Sequence, residues 1–277
     1  MELVVFDLDG TLLNRESVIS DFTRETLQLL ASSGIAYTVA TGRTLHASRS
    51  VLEGQGFGLP HVYKNGVVIW HPDRSHFSHH NVLTAAELSH VNQACIDQGV
   101  TPFIFTLEDD DVHGVYHAPL RSKAEQNLKR LYLEGRGLTV SPVEMLPADV
   151  DIINVSAIGP RRAIENVAML VADEDHLVAY SGPAFEGNDL YWIDIHHSNA
   201  SKGGAVEVLR EMLGVEKVIC FGDSDNDVSM FSVADESYAP ANAKAELKAL
   251  ATEVIGHHDE DGIAQFLRSR FALPRTC

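Results

Sequence analysis

The sequence predicts an α/β fold: a doubly wound, Rossmann-like parallel sheet core built from both ends of the chain, with an inserted α+β domain between them. Three observations predict it. Short β-branched runs alternate with helical patterns near both termini, the rhythm of βαβ units around a parallel sheet. The run at 3–6 (LVVF) is continuous, as in a strand buried on both faces. The rhythm changes at about residue 81 and returns after 196, which divides the chain into a core of 1–80 plus 197–277 and an inserted domain of 81–196.

Each element follows in order. The strand over 3–6 runs into Asp7-Leu8-Asp9-Gly10-Thr11. A helix starts near Asp21, with Leu27, Leu29 and Leu30 in its apolar part and Gly34 just past its end, where a left-handed residue is favoured. Residues 35–40 (IAYTVA) give a second strand ending at Thr41-Gly42-Arg43; a second helix begins near Thr44, and the segment 62–70 continues the unit. In the inserted domain, Thr84-x-x-Glu87 is a capping box, opening a helix whose Leu88, Val91 and Cys95 recur at helical spacing before Gly99. A strand over 100–107, a helix over 122–134, a strand over 152–158 and a helix opened by Pro160 follow. Two neighbouring strands over 176–180 and 190–195 are joined by the turn-like 182–188. After 196, a helix over 202–213 is capped by Asn199 or Ser201, carries Ala205, Val208, Leu209 and Met212 on one face, and stops at Gly214. A strand over 217–221 and further αβ alternation over 243–250, 252–255 and 263–271 complete the second half.

Composition narrows the function. Of 277 residues, 45% are apolar and 22% charged, an ordinary globular balance. The net charge of −18, without a Lys/Arg block, lacks the basic stripe that nucleic acids require. No apolar run approaches the roughly 20 residues that span a bilayer, so no membrane partner is expected. Glu2 and Asp7 put the wrong charge at the N-terminus for a secretory signal, and three cysteines without CxxC spacing make neither a disulfide framework nor a thiolate zinc site. A cytoplasmic protein, monomeric or a weak homo-oligomer, is expected.

Four polar clusters carry the chemistry. Asp7 and Asp9 lie just beyond the first strand, where open α/β sheets place their ligands, and in an extended segment they project to one side. Gly222-Asp223-Ser224-Asp225-Asn226-Asp227 follows the strand over 217–221 in the same manner. If those strands are neighbours, Asp7, Asp9 and Asp223 converge, and two carboxylates about 5 Å apart repel by about 3 kcal/mol at an effective dielectric near 20. Either one stays protonated or a cation sits between them. Oxygen ligands without His or Cys favour a small hard ion such as Mg²⁺. Thr41-Gly42 adds a hydroxyl and an unhindered amide, and Lys202 opens a helix whose N-terminus suits an anion.

DLDGT at 7–11, TG at 41–42, SKG at 201–203 and GDSDND at 222–227 resemble the four motifs of the haloacid dehalogenase superfamily of phosphohydrolases. The insertion, Lys64-Asn65-Gly66 and Asn242-Ala243 resemble its Cof-type branch, in which the inserted α/β domain is a cap. The resemblance implies a Mg²⁺-dependent phosphatase acting on a small-molecule phosphate ester, such as a sugar phosphate, through an aspartyl phosphate. It makes Asp7 the nucleophile and Asp9 the general acid and base, with the metal held by Asp7, Asp223 and the Asp9 main-chain carbonyl. Asp227 stands behind these, orienting Lys202 or a water on the ion. Thr41, the amides of Leu8 and Gly42, Lys202 and Asn226 cradle the phosphoryl oxygens. Arg43 either reaches the substrate or forms a surface ion pair, and Asp225 is a solvated loop residue.

Two other readings remain open: a phosphomutase or phosphotransferase using the same aspartate, and a non-catalytic regulator that binds a phosphometabolite. The stretch of Glu108 to Asp111 with His113 and His117 reads equally as a specificity loop or an exposed acidic hairpin. The pairs His79-His80, His196-His197 and His257-His258 lack the spacing that aligns two imidazoles on a helix and are expected in solvated loops.

Overall fold

The computed structural model describes residues 1–78, 81–108, 112–184 and 189–274. The chain forms two compact units, Met1–His79 with Ser201–Cys277, and His80–Ala200. The first opens with β1 (Glu2–Phe6), α1 (Asp21–Ser32), β2 (Ala36–Val39) and α2 (Leu45–Leu52), then a small antiparallel sheet of β3 (His61–Tyr63), β4 (Val68–His71) and β5 (His76–Ser78). The second unit contains α3 (Ala85–Asp97), β6 (Phe103–Glu108), β7 (Val112–His117), α4 (Lys123–Arg130), β8 (Thr139–Pro142), β9 (Asp151–Pro160), α5 (Arg161–Ala172), β10 (Leu177–Pro183) and β11 (Leu190–His197). The first unit then resumes with α6 (Lys202–Leu213), β12 (Lys217–Phe221), α7 (Val228–Val233), β13 (Glu236–Pro240), α8 (Ala245–Leu250), β14 (Glu253–Ile255) and α9 (Gly262–Arg270).

The main sheet runs β14-β13-β12-β1-β2, with every pairing parallel, and a parallel bridge from Ala40 to Val62 sets β3 beside β2. This is the α/β fold the sequence predicts. Its unbroken apolar strands are explained by double burial. Val4, Phe6, Ile219 and Phe221 pack against α1 and α9, while Leu3, Val5, Val218 and Cys220 pack against α6, α7 and α8. The chain leaves β1 toward β2 on one side and returns through β12 on the other. That reversal opens a crevice at the carboxyl ends of β1 and β12.

The second unit holds a six-stranded sheet, β10-β11-β9-β6-β7-β8, antiparallel except between β7 and β8. Val91 and Cys95 of α3 and Ile164, Val167 and Val171 of α5 pack on Ile104, Val155, Ile193 and Ile195. The Thr84/Glu87 capping box forms. The acidic stretch from Glu108 belongs to a hairpin between β6 and β7, of which residues 109–111 lie outside the described residues. Strand β7 (VHGVYH) was hidden because its histidines and glycine break the apolar alternation on which strand recognition relies. His79-His80, the 185–188 part of the predicted turn, and Cys277 also lie outside the described residues. Among the described residues no helix is long and apolar enough to cross a membrane.

Candidate active site

Strand β1 ends at Phe6, and Asp7 begins the turn that follows, its N–H donating to the Phe221 carbonyl of β12 at 2.9 Å. The in-register pairing of Phe6 with Phe221 therefore puts Asp7 beside the loop that carries Asp223. Gly10 turns the chain at φ +73°, and a Cβ there would collide with the Asp223 carboxylate. Only glycine permits both the turn and the approach. Ser201 caps α6 by accepting from the Gly204 N–H at 3.0 Å, and Lys202 follows with its side chain wholly buried.

The Lys202 ammonium donates to Asp7 Oδ1 and Asp227 Oδ1, each at 2.6 Å. Asp227 is itself fully buried, and its Oδ2 accepts the backbone N–H groups of Asp223 and Ser224 at 2.9 and 3.0 Å. Carboxylate oxygens of Asp7, Asp223 and Asp227 lie within 4.8 Å of one another. Negative charge outweighs positive here. Burial, aided by Asp227 and Asp223 and opposed by Lys202, raises the Asp7 carboxyl well above its usual range. Burial and Asp227 likewise push Asp223 up to about 6. Burial pulls the Lys202 ammonium down, but Asp227 and Asp7 more than offset it and hold its pKa above the ordinary value.

This donor set fits a small divalent ion. No donor among the described residues reaches either oxygen of Asp223, and Asp7 gives only Oδ1 to Lys202. Two hard carboxylates with unused oxygen lone pairs, in surroundings that resist their ionisation, match what Mg²⁺ takes from a protein when phosphate and water fill its other positions.

The remaining predicted residues divide. Thr41 is buried, its hydroxyl accepting the Arg43 N–H at 3.1 Å. Gly42 is backed by the Asn65 amide, which accepts from Asn226 Nδ2 at 3.0 Å. Leu8 is buried in the core. Asp9 departs from expectation: its carboxylate does not join the acidic group but accepts from Arg43 Nε at 2.7 Å and Nη2 at 2.5 Å. Side-chain alternation holds only along the strand, and Asp9 already lies in the turn before the left-handed Gly10. Arg43 takes the ion-pair alternative. Asp227, expected behind the ligands, has a carboxylate inside the acidic group. Asp225 is exposed and paired with Lys244 at 2.5 Å.

Sequence reasoning gave Asn65 and Asn242 no role. Lys64 and Asn65 have φ of +50° and +56°, and the loop they form ties Thr41, Arg43 and Asn226 together through Asn65 and Lys64 N–H groups and the Asn65 side chain. Asn-Gly between two apolar runs was the available signal, because it marks a tight left-handed turn between paired strands. His257, His258 and Asp259 also gather, yet His258 Nδ1 donates to the Leu13 carbonyl at 2.7 Å and Asp259 is bonded to Arg15.

The sequence matches the haloacid dehalogenase-like hydrolase family over residues 4–267, and the chain belongs to that family. It is 28% identical over 285 residues to the 5-amino-6-(5-phospho-D-ribitylamino)uracil phosphatase YitU of Bacillus subtilis, covering 98% of each chain. It is 25% identical over 278 residues to the pyridoxal phosphate phosphatase YbhA of Escherichia coli, covering 96% of this chain and 97% of that one. A solved haloacid dehalogenase-like hydrolase from Bacteroides thetaiotaomicron shares the fold at a TM-score of 0.78 and 22% identity, covering 98% of this chain and 99% of that one.

Proposed function

We propose that the protein hydrolyses the phosphate monoester of a small metabolite in the cytoplasm, with Mg²⁺, through an aspartyl phosphate on Asp7. The observation that carries this reading is the arrangement of Asp7 between buried Lys202 and the Asp223 carboxylate, which no donor among the described residues reaches. Lys202 holds Oδ1, so the other oxygen, Oδ2, is fixed in direction and available to attack phosphorus. Asp9 stands two residues on, held by Arg43 at a half-exposed position from which it can give a proton to the leaving oxygen and take one from water. Thr41, the Leu8 and Gly42 amides, Lys202 and Asn226 receive the phosphoryl oxygens, Asn226 being steadied by Asn65. Mg²⁺ would be held by Asp7, Asp223 and the Asp9 carbonyl, and supplies charge withdrawal from the phosphoryl group. Asp227 acts indirectly, fixing Lys202 and the Asp223 loop.

The two curated relatives act on a phosphorylated ribityl chain and on pyridoxal phosphate, which supports a small phosphorylated metabolite, a sugar or sugar-alcohol phosphate among them. The test is phosphate release from a panel of such esters with Mg²⁺ and with chelator. Release that needs Mg²⁺, needs no sugar bisphosphate activator and disappears in Asp7→Asn is expected. Undiminished turnover in Asp7→Asn would remove the reading, and transfer to an organic hydroxyl in place of phosphate release would replace it with a phosphotransferase.

A further inference from the structure

We infer that Asn242 is a positioning residue that sets the spacing between the Asp7 loop and Asp223, and through it the affinity for the divalent ion. The inference rests on the metal reading above. Asn242 follows β13, outside the four motif clusters, and its side chain bridges two segments. Its Nδ2 donates to the Gly10 carbonyl at 2.7 Å, and its Oδ1 accepts the His258 N–H at 3.2 Å. A carbonyl on one side and an N–H on the other fix the orientation of the amide.

The same short segment also grips the opposite loop. Two residues on, the Lys244 N–H donates to the Asp223 carbonyl at 2.9 Å, and the Ala243 N–H closes the turn onto the Pro240 carbonyl at 2.9 Å. His258 completes the frame by donating from Nδ1 to the Leu13 carbonyl at 2.7 Å. Residues 242–244 are thus bonded at one end to the turn carrying Asp7 and Asp9, and at the other to the main chain of Asp223. Gly10, the residue that Asn242 holds, is also the one lying against the Asp223 carboxylate. Backbone pairing of β1 with β12 ends at Phe6 and Phe221, and Asp7 is the last residue to bond across to β12 by its N–H. Beyond that point Asn242 is a side chain joining the Gly10 turn to the 240–244 segment. Two carboxylates that resist being brought together need such a tie, because their separation in the metal-free protein decides how much of the ion's binding energy is spent on drawing the loops into place.

The experiment is calorimetric titration of MgCl₂ into metal-free protein, comparing wild type, Asn242→Ala and Asp223→Asn, with thermal unfolding of each. Asn242→Ala is expected to weaken Mg²⁺ binding by about tenfold, the lower end for residues that orient metal ligands, while its unfolding remains cooperative. At saturating Mg²⁺ its KM for p-nitrophenyl phosphate is expected to stay within about twofold of wild type, since a tie that acts through the metal site leaves substrate contacts intact. Asp223→Asn is expected to abolish the heat. Wild-type affinity in folded Asn242→Ala, with binding lost in Asp223→Asn, overturns the positioning role and leaves the metal reading standing; absence of Mg²⁺ binding in wild type overturns both. Should Asn242→Ala fail to fold, Asn242→Asp keeps the size and the acceptor for His258 but cannot donate to Gly10. Weaker Mg²⁺ binding despite the added negative charge supports the role, and equal or tighter binding overturns it.

Discussion

Two ion pairs flank Asp7, and they are built for different work. Lys202 sits between Asp7 and Asp227 with no solvent exposure, each contact at 2.6 Å. Arg43 grips Asp9 with two hydrogen bonds, yet the Asp9 side chain is 57% exposed. A desolvated pair has no alternative partner, so it fixes direction. An exposed pair is solvated on its open side and is worth little to stability, so its carboxylate stays oriented yet within reach of water and substrate. In the proposed mechanism the immobile aspartate attacks and the accessible one transfers protons.

Breaking the buried pair has the largest expected effect. Lys202→Met leaves Asp7 and Asp227 buried without their cation, at a cost of about 3–5 kcal/mol, read by denaturant unfolding in chelator, and phosphate release falls to background. A loss below 1 kcal/mol would mean the carboxylates find water, contrary to their burial. A smaller and separate effect comes from His61, buried at 5% exposure away from the acidic cluster. Its Nε2 donates to the Phe57 carbonyl at 3.2 Å and its Nδ1 accepts from the Tyr63 hydroxyl at 3.0 Å, so the ring is held neutral. Burial lowers its pKa to about 4 from an ordinary 6.5. The unfolded chain then binds the extra proton between those values, so His61 by itself contributes a stability loss of about 3 kcal/mol as pH drops from 6.5 to 4, against the gain from the raised carboxyls of Asp7 and Asp223. His61→Phe is expected to flatten that part of the pH–stability curve; an unchanged slope would place the titration elsewhere.

Breaking the exposed pair should do least to stability and more to rate. Arg43→Met is expected to cost no more than about 1 kcal/mol in unfolding but to lower kcat about tenfold to a hundredfold, because Asp9 loses its orientation. A stability loss as large as that of Lys202→Met would erase the contrast between the pairs.

Much of this was legible before any coordinates. Continuous apolar strands predicted the doubly covered sheet, and a carboxylate just past each of two such strands located the crevice through Asp7 and Asp223. What failed did so for local reasons. Asp9 was placed by a period-two rule that ends with the strand, so its turn toward Arg43 was invisible. The pairing of Lys202 with Asp227 did not fail: it was one of the two roles the family resemblance implied for Asp227, although spacing alone does not encode it, because it depends on how α6 packs against the loop after β12. Asn65 acts through the Asn226 side chain and Asn242 through the Gly10 main chain, both far away in sequence, and an asparagine in a loop reads first as a turn residue. The 62–70 segment, expected only to continue the unit, is a hairpin, because Lys64 and Asn65 take left-handed conformations between β3 and β4.

The most direct measurement is mass spectrometry of the wild-type enzyme and Asp7→Asn, each quenched in acid during turnover of an active phosphate ester and digested under conditions that preserve acyl phosphates. One phosphoryl group on the peptide containing Asp7, present in wild type and absent from the variant, is the expected result. Steady turnover by wild type with that peptide unmodified, or with the label on another residue, would contradict the assignment of Asp7 as nucleophile.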